Sequence, residues 1–178
     1  MKTVILILLV LGILIAGLLV IGLFLKKDYV ILRETTISKP KEVVYDYVKF
    51  LKNQNNFSVW AQMDPNMKTE FKGVDGTVGF VSAWSSENKN VGIGEQEIKG
   101  ITPDRIDYEI RFIKPFPSVA PAYLEITQVS DKQTIVKWGF AGHMKYPTNL
   151  MLLFLNMEKM IGNDLSKGLA NLKNILEE

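Results

Sequence analysis

Residues Val4 to Leu25 form an unbroken run of 22 residues without a charge. At a helical rise of ~1.5 Å per residue such a run extends roughly 33 Å, about the thickness of the hydrocarbon core of a bilayer. Only Gly12, Ala16, Gly17 and Gly22 depart from Val, Ile, Leu and Phe, and large aliphatics each favour insertion by roughly 0.3 to 0.6 kcal/mol at the helix centre. A cleaved secretory signal has a shorter apolar stretch, ~7 to 15 residues, closed by small residues at the cleavage site. This run instead ends Gly22-Leu23-Phe24-Leu25-Lys26-Lys27. The expectation is a retained single-pass transmembrane anchor over residues 1–27 and a separate globular domain over 28–178. Lys2 stands on one side, with Lys26, Lys27, Arg33 and Lys39 on the other, so the positive-inside rule favours a cytoplasmic domain. Gly12 and Ala16 make a small-xxx-small pair that suits close helix approach and equally suits ordinary transmembrane composition.

Beyond the apolar run, the 153 residues from Lys26 on carry 20 basic and 19 acidic side chains. That balance is no footprint for nucleic acid. The chain has no Cys and one His, which excludes disulfides, thiolate metal sites and Cys nucleophiles. No metal or cofactor is expected.

Tyr29 to Ile37 mixes apolar and polar residues as a half-buried strand does. Ser38-Lys39-Pro40 then opens a helix over roughly 40–52, with Val43, Val44, Tyr47, Val48 and Leu51 at helical spacing. Asn53-Gln54-Asn55-Asn56 breaks it, and Phe57 to Trp60 is a second short turn before Asp64-Pro65. Turn residues then recur about every ten positions, at Asp75-Gly76, Glu87 to Asn90, Pro103-Asp104, Pro115-Phe116-Pro117 and Ser130-Asp131-Lys132. They predict six strands in an antiparallel meander, seven with the first. Pro147 ends the sheet, and Met157, Met160, Ile161, Leu165, Leu169, Leu172, Ile175 and Leu176 mark one long amphipathic helix. Its first turns, Leu150 to Leu155, are apolar all round, and should be either enclosed or exposed for something to bind. The fold class is α+β, a seven-stranded curved antiparallel sheet in the order β-α-α-β6-α wrapped around a long C-terminal helix, after one transmembrane helix. A helix about 10 Å wide cannot fill so wide a twisted sheet, so long side chains or a ligand occupy the rest.

From about Val30 to Glu178 the chain resembles the START-related superfamily of helix-grip domains (SRPBCC), in particular its bacterial polyketide cyclase/dehydrase and lipid-transport branch. The marks are Pro40-x-x-Val43, Phe57-Ser58-x-Trp60 before Asp64-Pro65, and Gly73, Gly76 and Gly79 leading to Trp84. They continue with Gly92-x-Gly94-Glu95-Gln96, Ile110-x-Phe112, Thr134-x-Val136-x-Trp138 and Gly168-Leu169-x-x-Leu172-Lys173. The resemblance implies a hydrophobic pocket between sheet and helix. It implies no single activity.

Trp60, Trp84, Tyr108, Phe112, Tyr123 and Trp138 are the candidates for a ligand-lining wall, since aromatics offer wide apolar area. Met151, Phe154, Leu155 and Met160 are the candidates from the helix side, where thioethers tolerate variable guests. Plain core packing is the competing reading for all ten. Glu95, Glu97 and Glu125 are possible polar pocket groups. A pairing of Glu97 with Ile110 and Glu95 with Phe112 across the Pro103-Asp104 turn points both acids inward, and a one-residue slip sends both to solvent. His143 falls on the outer face, alone. The functional expectation is a membrane-anchored binding domain for a hydrophobic small molecule or lipid, with no nucleic-acid partner and protein partners left open. The alternatives are a cyclase- or dehydratase-like enzyme, which needs a buried acid, and a protein-interaction module whose core is filled.

Overall fold

The computed structural model describes every residue from Met1 to Glu178. Helix α1 (Lys2–Phe24) is long and apolar enough to cross a membrane, and its side chains project away from the rest of the chain. Three residues later the chain enters β1 (Asp28–Ile37), then α2 (Lys41–Val48), a single 3-10 turn at Leu51–Asn53, and two four-residue helices, α3 (Gln54–Phe57) and α4 (Val59–Gln62). Strands β2 (Lys68–Lys72), β3 (Val81–Ser85), β4 (Ile93–Thr102), β5 (Arg105–Lys114), β6 (Ser118–Ser130) and β7 (Gln133–His143) follow as a meander. A 3-10 segment at Thr148–Leu153 leads into α5 (Met157–Glu177). All seven strands form one antiparallel sheet, ordered β1-β7-β6-β5-β4-β3-β2, so β1 closes the meander by pairing with its last strand.

The alternation read from β5 and β7 sets the inner face. Ile106 and Tyr108 from β5, and Thr134, Val136 and Trp138 from β7, are buried, and α5 lays Leu165, Leu169 and Leu172 against that face. The sheet has two ends. The starts of β1 and β6 and the ends of β3, β5 and β7 gather where α1 enters, and this is called the anchor side. At the far side Ile98, Ile106, Ile126 and Val136 meet Val44 and Val48 of α2 and the later turns of α5, all at most 2% exposed.

Two helix boundaries differ from expectation. The first helix stops at Val48, because the Asp75 carboxylate accepts the backbone N–H groups of Leu51 (2.8 Å) and Lys52 (3.1 Å) and starts a fresh turn there. Asn53-Gln54-Asn55-Asn56, expected as a break, instead closes the 3-10 turn and continues as α3. The last helix starts at Met157, not in the Leu150 to Leu155 stretch. Asn156 caps it by accepting the Lys159 N–H at 2.8 Å, which satisfies one of the free donors of a helix start.

Candidate functional site

A cavity of about 270 Å³ lies between the anchor-side half of the sheet, the short helices α3 and α4, and the early turns of α5. That is just below the usual range of ligand pockets, about 300 to 1,000 Å³, and suits a small guest. Trp60 from α4, Trp84 from β3, Phe112 from β5 and Trp138 from β7 line it, with Ile110, Phe140, Ile161, Leu165 and Met67 among the other apolar residues of the wall. The aromatic rings brace one another edge to face. Trp60 meets Trp138 at 6.4 Å between centroids and Trp84 meets Phe112 at 6.2 Å. Trp84 reaches its position because Gly94 beside it has no side chain. A Cβ there would stand 2.5 Å from the indole ring, so any other residue would push the ring out of the cavity wall.

The polar side of the cavity consists of amides and hydroxyls. Gln54 Nε2 donates to Gln96 Oε1 at 3.2 Å and Gln96 Nε2 donates back to Gln54 Oε1 at 3.1 Å, a closed amide pair joining α3 to β4. Asn55, Ser58, Thr69, Ser82 and Asn90 complete the polar lining. None of the 19 lining residues is an acid, a base, a tyrosine or a histidine. The space is therefore uncharged, its hydrogen-bonding groups supplied by α3 and the residue after it, by β2, β3 and β4, and by the loop before β4.

The other expected residues lie elsewhere, each for a definable reason. Tyr108 does face inward, but deeper than the cavity, packed in the far-side core. Its hydroxyl is buried without a partner, and burial holds the phenol well above its ordinary pKa. Tyr123 is on the convex face, because the pairs Ala122 with Phe140 and Leu124 with Trp138 carry the inward positions of β6. The Arg105 guanidinium lies 3.7 Å from the centre of its ring. Met151, Phe154 and Met160 are exposed and Leu155 is half-buried, all outside the cavity, because α5 begins after that stretch and Met160 sits one position off the inward stripe.

Glu95, Glu97 and Glu125 also face outward. A plain two-residue hairpin at Pro103-Asp104 would pair Glu97 with Ile110. Between Ile98 and Gly100 the register shifts, and the single bulged residue, Lys99, moves the ladder by one so that Glu97 faces Glu109 and Gln96 faces Ile110. Gln96, one residue from both acids, takes the inner position instead. On the convex face Arg111 donates to Glu95 (2.6 Å), Glu97 (2.7 Å) and Glu109 (2.5 Å). Those carboxylates hold the guanidinium above its usual pKa, and the Arg111 and Lys99 hydrogen bonds hold Glu97 below the usual carboxylate range. Glu125 meets Lys137 at 3.5 Å and Arg105 at 3.8 Å. His143 is exposed, its Nδ1 2.6 Å from Asp28 Oδ1.

Sequence reasoning missed Leu51, Met67, Ile110, Phe140, Ile161 and Leu165 among the apolar lining residues and the whole polar side, of which Gln54 and Gln96 are the paired members. Gln54 sat in a polar stretch that reads as a helix breaker, and Gln96 is inward only through the bulge. Gly100, next to Lys99, was the available sign, since glycine inside a strand pattern marks such irregularities.

No protein-family model matches the chain, and a search of curated proteins finds no match. Solved structures do match. Norcoclaurine synthase from Thalictrum flavum, in complex with dopamine and hydroxybenzaldehyde, superposes with a TM-score of 0.63 over 84% of this chain and 86% of its own, at 9% identity. This is the helix-grip fold. A protein from Thermobifida fusca, known from a solution NMR structure, matches with a TM-score of 0.55 over 83% of this chain and 92% of its own, at 19% identity. The di-domain ARO/CYC StfQ from the steffimycin biosynthetic pathway matches with a TM-score of 0.61, covering 85% of this chain and 51% of its own, at 8% identity. Identities this low speak for the helix-grip architecture and leave function to the site itself.

Proposed function

We propose that this chain is a membrane-anchored helix-grip protein that binds an uncharged hydrophobic small molecule or lipid, residues 1–27 forming a single-pass anchor and residues 28–178 a cytoplasmic binding domain. The observation that carries this reading is the cavity, three tryptophans and a paired amide wall with no titratable group among its lining residues. Burial of apolar area drives association at roughly 25 cal/mol per Å², less the loss of the guest's freedom, while the Gln54–Gln96 pair orients one polar group. An ionised guest would lose its hydration to a wall with no countercharge. The cyclase and dehydratase reading is less well supported. The three carboxylates that could have moved a proton are on the convex face and the Tyr108 hydroxyl is sealed in the core. The open cavity likewise favours ligand binding over an interaction module with a filled core. We assign the chain to the START-related superfamily, in the branch of polyketide cyclases and lipid-transport proteins, on its sequence marks and on the likeness to an ARO/CYC domain.

Trp60, Trp84 and Trp138 are the only tryptophans and all three line the cavity. Intrinsic fluorescence of the full chain in detergent therefore reads occupancy directly. Titration with decanol is expected to give a saturable change at pH 7, with decanoate at least tenfold weaker. Equal or stronger binding of the carboxylate would refute an uncharged site, and no saturable change with decanol, together with no extractable molecule in the purified protein, would refute the binding function.

A further inference from the structure

The anchor is bolted to the domain. The last four carbonyls of a helix lack intrahelical partners, and one of them, that of Gly22, accepts a 2.7 Å hydrogen bond from Asn149 Nδ2. Asn149 is fully buried. Gly22 lets its neighbours come close, since a Cβ there would stand 3.0 Å from the Leu150 side chain and 3.3 Å from Tyr146. The Thr148–Leu153 segment is thus held against the final turn of α1, level with the point where a spanning helix leaves the hydrocarbon.

At that level the chain turns large apolar side chains outward. Phe154 is 78% exposed, and Met151 and Leu153 are exposed beside it. The β5–β6 turn, Lys114 to Pro117, lies at the same end of the sheet, two strands from the end of β7, and carries Phe116 at 77% exposure, with Ile113 and Val119 exposed at its base. Lys26, Lys27, Lys114 and Lys145 surround these residues in the chain. Aromatic and aliphatic side chains with lysines around them match a monolayer interface, where the rings settle below the head groups and the ammonium groups meet phosphate.

Resting on the anchor reading above, we propose that the Tyr146–Phe154 segment and the Lys114–Pro117 turn form a rim that dips into the same monolayer α1 leaves. The occupant of this apolar face is lipid, because the face is continuous with the end of α1 and fixed beside it by the Asn149–Gly22 bond. The cavity occupies the same half of the domain. Phe112, Trp84 and Phe140 are each within three residues of the anchor-side ends of their strands. The rim therefore sets the cavity's end of the domain on the membrane surface, and the guest passes between acyl chains and cavity.

The chain has no cysteine, so a single introduced thiol is a unique label site. Full-length Phe154→Cys, Met151→Cys and Phe116→Cys, each carrying an environment-sensitive nitrobenzoxadiazole label, would be reconstituted in phosphatidylcholine/phosphatidylglycerol vesicles. Leu11→Cys in mid-anchor and Asp131→Cys in the opposite β6–β7 turn serve as references. Quenching by acyl-brominated lipid is expected to be several-fold greater at 154, 151 and 116 than at 131, and below that at 11. Quenching at 11 with the three rim positions matching 131 would overturn the rim and leave the anchor standing. Absence of quenching at 11 would overturn the anchor and the rim together. Rim labels shielded from both brominated lipid and aqueous iodide would assign the face to a second copy of the chain and overturn the lipid assignment.

Discussion

The two halves of the grip are built from the same strands and the same long helix, yet one is solid and the other hollow. On the far side α2 presses Val44 and Val48 onto the sheet, and Leu169 and Leu172 of α5 fill what remains, so that Ile98, Ile106, Ile126 and Val136 are sealed. On the anchor side, beside the early turns of α5, the cover is two four-residue helices and the residue between them, which turn Gln54, Ser58 and Ala61 toward the cavity, with Ser82 on the sheet. Trp60, Trp84 and Trp138 stand around the gap as walls. The difference teaches that the room in this fold follows from which helices cover the sheet and how short their side chains are, more than from the curvature of the sheet.

The strongest way to break this comparison is to remove equal volume from each half. Leu124→Ala, at a site 1% exposed in the packed region, is expected to destabilise the full chain in detergent by ~2–5 kcal/mol, the range for aliphatic truncation in a close-packed core. Ile110→Ala, on the cavity wall, should cost clearly less in the same denaturant titration, since its side chain already faces empty space. Equal losses would mean that the hollow is closed in solution.

A smaller effect sharpens the account of the polar wall. Gln96→Leu alone leaves the Gln54 amide unpaired, and should cost ~1–3 kcal/mol. Changing both residues to Leu should return much of that, a coupling that a double-mutant cycle measures, while the decanol response weakens. If each single change were neutral and the double change additive, the pair would be no unit.

These glutamines also mark how far the sequence could be read. The strand count, the meander order and the inner faces of β5 and β7 follow from local periodicity, a property of residues two or four apart, and the apolar N-terminal helix from an unbroken run without a charge. Trp60, Trp84, Phe112 and Trp138 were accessible to the same logic, being large side chains on inward positions. Which polar residue joins them was not, because a single bulged residue, Lys99, exchanges Gln96 for its acidic neighbours, and a bulge is settled by packing across strands. Asn156 shows the converse. A helix cap stood in the sequence just before Met157, but the apolar stretch ahead of it reads equally well as helix. Only the contact with α1, more than a hundred residues away, explains why that stretch turns outward.

The smallest expected effect belongs to the convex face. Glu97 has a folded-state pKa below its unfolded value, through its hydrogen bonds to Arg111 and Lys99. Its pairing therefore contributes stability at neutral pH, a contribution lost as pH falls below the ordinary carboxylate value of ~4.3 and through the depressed folded one. Melting temperatures of wild type and Glu97→Gln should differ slightly at pH 7 and converge in acid, with guest binding unchanged at both. A pH-dependent change in decanol affinity that Glu97→Gln abolishes would place that acid in contact with the guest and overturn the division between the two faces.

The bond from Asn149 to Gly22 turns what would have been a leash into a mast. A flexibly tethered domain samples a hemisphere above the bilayer and meets its surface intermittently, whereas one clamped at the stem keeps a constant height and tilt as it diffuses. Under the proposed membrane-anchored function, its search for a guest would be confined to two dimensions, and lateral mobility, not tumbling, would set how often the pocket meets a new molecule.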